Sequence, residues 1–120
     1  VLGRALAESV MMLDGKLIFS ALRIKDMKFY QVEPKDLDGI VQQLRITRGV
    51  EAAVFLYEEE PGRFKVSMRS NGTVDVSKVA VYFQGGGHVR AAGCSMEGNM
   101  YDVMNNIAAR IDLQLVSEDE

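Results

Sequence analysis

Residues 52–70 read Ala52-Ala53-Val54-Phe55-Leu56-Tyr57-Glu58-Glu59-Glu60-Pro61-Gly62-Arg63-Phe64-Lys65-Val66-Ser67-Met68-Arg69-Ser70. An apolar run of strand length leads through a charged Pro-Gly connection into an arm that alternates strictly, which is the pattern of a β-hairpin. Side chains switch faces at every residue of a strand, so Phe64, Val66 and Met68 turn one way while Lys65, Ser67 and Arg69 turn the other. Two cations and a hydroxyl therefore share a face. The acidic run Glu58 to Glu60 reads as the solvated hairpin tip.

Upstream, Leu17 to Ile24 is nearly continuous in apolar residues and suits a strand buried on both faces. Leu2, Ala5, Leu6, Val10 and Leu13 recur at helical spacing, so a first helix is expected to about residue 13, where Asp14-Gly15 supplies turn chemistry. Pro34 stands at a first helical position, followed by Leu37, Ile40, Val41 and Leu44 on one face. Gly39 weakens this second helix by about 1 kcal/mol relative to alanine. Downstream, Asn71-Gly72 closes the hairpin arm, and Asp75 is placed to cap a short helix with the stripe Val76, Val79, Ala80 and Phe83. Ala91 to Glu97 reads as one more short strand. Met100, Val103, Met104, Ile107, Ala108 and Ile111 mark a C-terminal amphipathic helix, whose acidic end, Glu118-Asp119-Glu120, is expected to fray. The order predicts a single α+β domain spanning 1–120, a small mixed sheet of about four strands with helices packed on it.

The bulk properties narrow the class. A chain of 120 residues with 48% hydrophobic content holds one small core and no second full domain. A net charge of −3 argues against a broad basic face that coats duplex nucleic acid, although a local cationic site is compatible with it. One cysteine and one histidine are too few for a tetrahedral zinc site, and a lone cysteine suits a reducing compartment. No apolar run approaches the roughly 20 residues needed to span a bilayer. A cytoplasmic protein with no membrane partner is expected. The seven methionines fall mostly on helix faces and read as core filler. Val1, standing inside the expected first helix without an initiator methionine, reads as the start of a piece cut from a longer chain.

Chemistry concentrates in Gln84-Gly85-Gly86-Gly87-His88-Val89-Arg90, where three glycines precede the one histidine. Glycine runs are tolerated where φ is positive or where something approaches the backbone closely. Two readings fit the residue types. In one, the peptide N–H groups of Gly85, Gly86 and Gly87 form a nest for an anion, with His88 as an added donor. In the other, the segment is a sharp turn between helix and strand. Arg69 likewise reads as a planar phosphate fork or as a solvated cation on an edge strand. If hairpin arm and glycine loop open at the same end of the sheet, Ser67, Arg69, Asn71 and His88 surround one phosphate or nucleotide pocket. Arg90, just beyond the loop, is the weaker candidate.

Ser67-Met68-Arg69-Ser70, Asp75-Val76, Phe83-Gln84-Gly85-Gly86-Gly87-His88 and Ala91-Ala92-Gly93-Cys94 together resemble the characteristic block of the DHH-associated C-terminal domain of the DHH phosphoesterase superfamily. Leu2 to Leu6, Asp38-Gly39-Ile40 and Gly49 to Val54 are similar to its oligoribonuclease and pAp-phosphatase branch, the nanoRNase or NrnA type. The resemblance implies a two-domain hydrolase: an upstream domain holds two manganese ions on aspartates and histidines, and the associated domain clamps the substrate. This chain has one histidine and no Asp-His-His triplet, so the piece alone is expected to be inactive and to bind no metal. By the same resemblance Ser67, Arg69 and Ser70 hold the nucleotide and its phosphate. Gly85, Gly86, Gly87 and His88 hold the terminal or scissile phosphate. Implied partners are a short oligonucleotide, pAp or a substrate derived from a cyclic dinucleotide, together with the catalytic domain; the oligomeric state stays open. The competing reading is a stand-alone nucleotide or RNA-binding module, as similar domains are attached to alanyl-tRNA synthetases. One departure stands out: relatives usually carry four glycines before the histidine, and here Gln84 takes the first place. Either the loop enters differently or Gln84 closes the preceding helix.

Overall fold

A computed structural model of the chain describes residues 10–13, 15–23 and 49–119, with side-chain surroundings given through residue 115. Among these residues the elements run in the order β1 (Val10–Met12), β2 (Leu17–Leu22), β3 (Ala52–Glu60), β4 (Arg63–Ser70), α1 (Val76–Tyr82), β5 (Gly86–His88), β6 (Ala91–Glu97) and α2 (Met100–Asp119). The strands form one mixed sheet in the order β1-β2-β3-β4-β6-β5. Of the described pairs, β2 and β3 alone run parallel, with Leu17 opposite Ala52 and Leu22 opposite Tyr57. A parallel pair needs a crossover of a dozen residues or more, and the chain between Leu22 and Ala52 is long enough to make one. The helix expected over Pro34 to Leu44 falls in that interval, outside the described residues, as do Leu2, Ala5 and Leu6 of the expected first helix.

The α+β class follows the sequence pattern, and the sheet gains two strands over the expected four. The first replaces the end of the anticipated N-terminal helix. Val10, Met11 and Met12 pair antiparallel with Phe19, Ile18 and Leu17, and Leu13 turns the chain with φ +54°. Tertiary pairing to an apolar neighbour strand overrides a short stretch of helical spacing, as it commonly does for weak local preferences. The second added strand is Gly86–His88, inside the stretch read as a loop.

The hairpin decides the rest. β3 pairs with β4 from Ala52 opposite Ser70 to Glu58 opposite Phe64, and a register shift at Glu58 and Glu60 leads into the turn at Pro61-Gly62. The strand therefore continues through the acidic run, and the tip is shorter than expected. Even-numbered residues of β4 are buried and odd ones are exposed or half-buried, as alternation requires. Phe64, Val66 and Met68 join Leu17, Phe19, Val54, Leu56, Cys94 and Met96 on the sheet face that packs against α1 and α2. Val76, Val79 and Ala80 supply the α1 side; Val103, Ile107, Ile111 and Leu115 supply the α2 side. On the opposite face Ile18, Leu22, Ala53 and Phe55 are buried too, so β2 and β3 are covered on both sides, as their near-continuous apolar runs predict.

Both helices carry side-chain caps. Asp75 accepts from Ser77 N at 3.0 Å and from Lys78 N at 3.3 Å. Asn99 accepts from Asp102 N at 2.9 Å while its amide donates to the Asp102 carboxylate, satisfying two polar groups at the α2 start. The helices are tied together by Gln114, whose Oε1 accepts from Asp75 N at 2.8 Å and whose Nε2 donates to Asp75 O at 3.0 Å.

Candidate functional site

The side of β4 turned away from the helices carries Arg63, Lys65, Ser67 and Arg69. Register fixes what lies beside them. Arg69 is opposite Ala91 and Ser67 opposite Gly93 on β6. On the far side of β6, Ala91 is opposite His88 and Gly93 opposite Gly86. Two rows therefore cross three strands on one face: Arg69, Ala91, His88 and, next to it, Ser67, Gly93, Gly86. In the middle of both rows the side chain is a methyl group or absent, so the polar groups stand at the walls of a shallow trough. Neighbouring strands lie about 4.8 Å apart, which sets the backbones of Arg69 and His88 about 10 Å from each other.

The glycines are spaced for this arrangement. A Cβ on Gly85 would lie 2.2 Å from the Gly93 carbonyl oxygen, and one on Gly87, where φ is +146°, would lie 2.5 Å from Ala92 Cα. Those two are required by the close approach of β5 to β6. A Cβ on Gly86 would meet nothing within 4 Å. The outer members of the triplet thus seat a short edge strand, and its middle member faces open space beside Ser67.

Gln84 has an equally local cause. Its φ is +68°, its N–H donates to Val81 O at 2.9 Å, and the next N–H, of Gly85, donates to Ala80 O at 2.7 Å. This pair of bonds is the Schellman closure of a helix C-terminus, with Gln84 in the left-handed position that glycine usually takes. Of the two readings of this departure, the structure shows the second: Gln84 closes α1.

The hairpin of β5 and β6 turns through Val89 and Arg90 and is anchored at both: Arg90 O accepts from Ser70 N at 2.9 Å, and Val89 O from Val76 N at 3.0 Å. His88 is therefore presented on a tethered turn, exposed to solvent. The Arg90 guanidinium lies over Gly72, with Nη2 3.2 Å from where a Gly72 Cβ would stand. Ser70 points to the core side of β4, fully buried, and its hydroxyl accepts from Gly72 N at 3.0 Å. Asn71 donates from its amide to Val50 O at 2.7 Å. The structure thus brings Ser67, Arg69, Gly86 and His88 to one face, while Ser70, Gly85 and Gly87 serve the backbone around it. Arg69 is half-buried, and its Nη1 donates to Met68 O at 2.9 Å, so the guanidinium is held close to its own strand.

What the sequence alone did not reveal is the floor, Ala91 and Gly93, because that depends on the pairing of β6 with two neighbours at once. Among the described residues no three His, Cys, Asp or Glu side chains converge to hold a metal ion. Cys94, on the core face, is not available as a ligand: burial pushes its thiol up to about 11, against a smaller opposing pull from the Lys65 charge. The manganese pair implied by the resemblance does not fit the side chains described. No helix among the described residues is long and apolar enough to cross a membrane.

Residues 14–116 match the family model of the DHHA1 domain, and the chain belongs to that family. It is 42% identical over 64 residues to the bifunctional oligoribonuclease and PAP phosphatase NrnA of Thermus thermophilus, a stretch that is 53% of this chain and 19% of that protein. It is 40% identical over 52 residues to the oligoribonuclease NrnB of Bacillus subtilis, 42% of this chain and 13% of that one. The chain thus spans less than a fifth of the length of these curated relatives. The fold matches an exopolyphosphatase-related protein of Bacteroides fragilis with a TM-score of 0.81 at 23% identity, over 94% of this chain and 34% of that one. It also matches the pGpG-specific phosphodiesterase PggH of Vibrio cholerae, with a TM-score of 0.58 at 10% identity, over 96% of this chain and 36% of the other.

Proposed function

We propose that this domain holds the substrate of a metal-dependent phosphoesterase that acts on short oligonucleotides or on pAp, with the metal pair supplied by a catalytic domain of the same protein. The observation that carries the reading is the register: Arg69 and His88 flank Ala91, Ser67 and Gly86 flank Gly93, and these four of the seven candidate residues share one face. A planar guanidinium and an imidazole carried on strands whose backbones lie about 10 Å apart, over a floor without bulky side chains, suit a phosphate entering between them. Gly86 leaves its backbone open on that side. A metal pair held by that catalytic domain would supply the nucleophile and the charge to stabilise the leaving oxygen, and the residues of this face would fix the substrate. The relatives named for oligoribonuclease and PAP phosphatase activity favour a small nucleotide substrate over a long duplex. So does the net charge of −3.

Binding of a 5′-phosphorylated dinucleotide to the intact protein tests the reading. Arg69→Ala and His88→Ala should each weaken binding about tenfold, as expected when one charge-assisted hydrogen bond is removed. Unchanged affinity in both variants overturns it.

A further inference from the structure

A second cationic feature lies at the edge of the sheet beyond the end of β5, with its two cations on the same face as Arg69. That strand stops pairing at Gly86, opposite Gly93, so Ser95 to Glu97 of β6 have no described neighbour on that side. The gap opens a cleft of about 370 Å³ lined by Arg63, Lys65, Phe83, Gln84, Gly85, Gly93, Cys94 and Ser95. The lining holds two cations, a hydroxyl and an amide, and no carboxylate. Lys65 faces Tyr57 on one side and Ser95 on the other, whereas Arg63 faces Glu60 and Glu97. Lys65 is accordingly the less compensated charge of the two. Both are exposed.

The cleft is continuous with the trough through Gly93, which takes part in both. Lys65 and Arg69 are four residue steps apart, about 13 Å along β4. A phosphate between Arg69 and His88 therefore cannot also touch Lys65. A ligand that engages both must carry phosphates well separated along a chain, as a single-stranded oligonucleotide does, and a positively charged groove that tracks the backbone is a usual means of holding one.

Building on the reading above, we infer that the Lys65 cleft is a second phosphate site, engaged by single-stranded oligonucleotides longer than a dinucleotide and not by pAp. The β4 cation row then makes affinity depend on substrate length. A nucleoside bisphosphate uses the Arg69 end alone, while a longer strand runs across Gly93 into the cleft.

The test measures binding of pAp and of a 5′-phosphorylated pentanucleotide to the intact protein in EDTA, over a range of salt. Arg63→Ser with Lys65→Ser should weaken the pentanucleotide about tenfold and leave pAp within twofold. The salt slope for the pentanucleotide should fall by about 0.7 for each phosphate that the variant no longer neutralises. Lys65→Arg should retain the longer ligand, and because both residues are exposed the variants keep the fold. An unchanged pentanucleotide affinity, or an equal weakening of both ligands, overturns the second site. Failure of Arg69→Ala and His88→Ala to weaken pAp overturns the functional reading itself, a separate outcome.

Discussion

Arg69 and His88 share one cross-strand partner: Ala91 pairs with Arg69 on β4 and with His88 on β5, so a methyl group is all that stands between a guanidinium and an imidazole in that row. Their relationship is set by hydrogen-bonded register, which a rigid sheet transmits faithfully. If one phosphate lies between them, their contributions to binding are coupled. A double-mutant cycle on dinucleotide binding should give an interaction energy of about 0.5 to 3 kcal/mol between Arg69→Ala and His88→Ala, the range for residues with a shared partner. Strict additivity would mean that the two side chains serve different groups. Filling the floor with Ala91→Leu should weaken binding without removing either donor.

The glycines separate fold from ligand. Gly85→Ala and Gly87→Ala force a methyl group into backbone at 2.2 and 2.5 Å, and each should destabilise the domain by about 1 to 3 kcal/mol, with loss of β5 docking. Gly86→Ala meets open space and should leave the melting temperature nearly unchanged. If a phosphate approaches the Gly86 backbone, that same variant lowers nucleotide affinity. Thermal melts paired with titrations on the three variants decide the matter.

Much of this architecture is visible in residue order, and the exceptions have physical causes. Strict alternation in Phe64 to Ser70 gave the inward and outward sets of β4 correctly, because alternation follows from backbone geometry alone. Asp75 was legible as a cap because a carboxylate before an apolar helical stripe has few better uses. Val10 to Met12 was not, since three residues carry too little periodicity to oppose their pairing with β2. Gly86 to His88 as a strand was equally hidden: glycine is a poor strand former, and its place follows from tight contact with Ala92 and Gly93. Ser70 looked equivalent to Ser67 in composition, yet the parity of its position sends it to the core side, where it holds Gly72 N.

Gln84 offers a stability test independent of any ligand. A side chain at φ +68° is costly relative to glycine, by roughly 1 kcal/mol, because its Cβ crowds the following carbonyl. Gln84→Gly should therefore raise stability by up to about 1 kcal/mol, offset in part by the greater freedom glycine has in the unfolded chain. Gln84→Val, branched at Cβ, should lower it. Denaturation midpoints for the pair check the assignment of Gln84 as the closing residue of α1; the reverse order would refute it.

Asp75 ties stability to acid pH through a small set of bonds. Its carboxylate accepts from the Ser77 hydroxyl and from the N–H groups of Ser77 and Lys78. The Ser77 hydroxyl bond is the main cause that holds its pKa below the ordinary 3.8, and partial burial opposes the shift. A carboxylate whose folded pKa is depressed contributes stability that is fully present above its unfolded value and is lost as pH falls through the folded one. The contribution should thus be constant at neutral pH, begin to fall near pH 3.8 and be lost as the pH drops through the lower folded value. Asp75→Ala should cost about 1 kcal/mol at pH 7, the usual loss of an N-cap, and that cost should shrink as the pH is lowered. Asp75→Asn keeps an acceptor for the helix N–H groups without the titration, so it should retain most of the stability and flatten the acid dependence. Chemical denaturation of the three proteins between about pH 2.5 and pH 7 measures both effects, and parallel pH profiles for wild type and Asp75→Asn would remove Asp75 as their source.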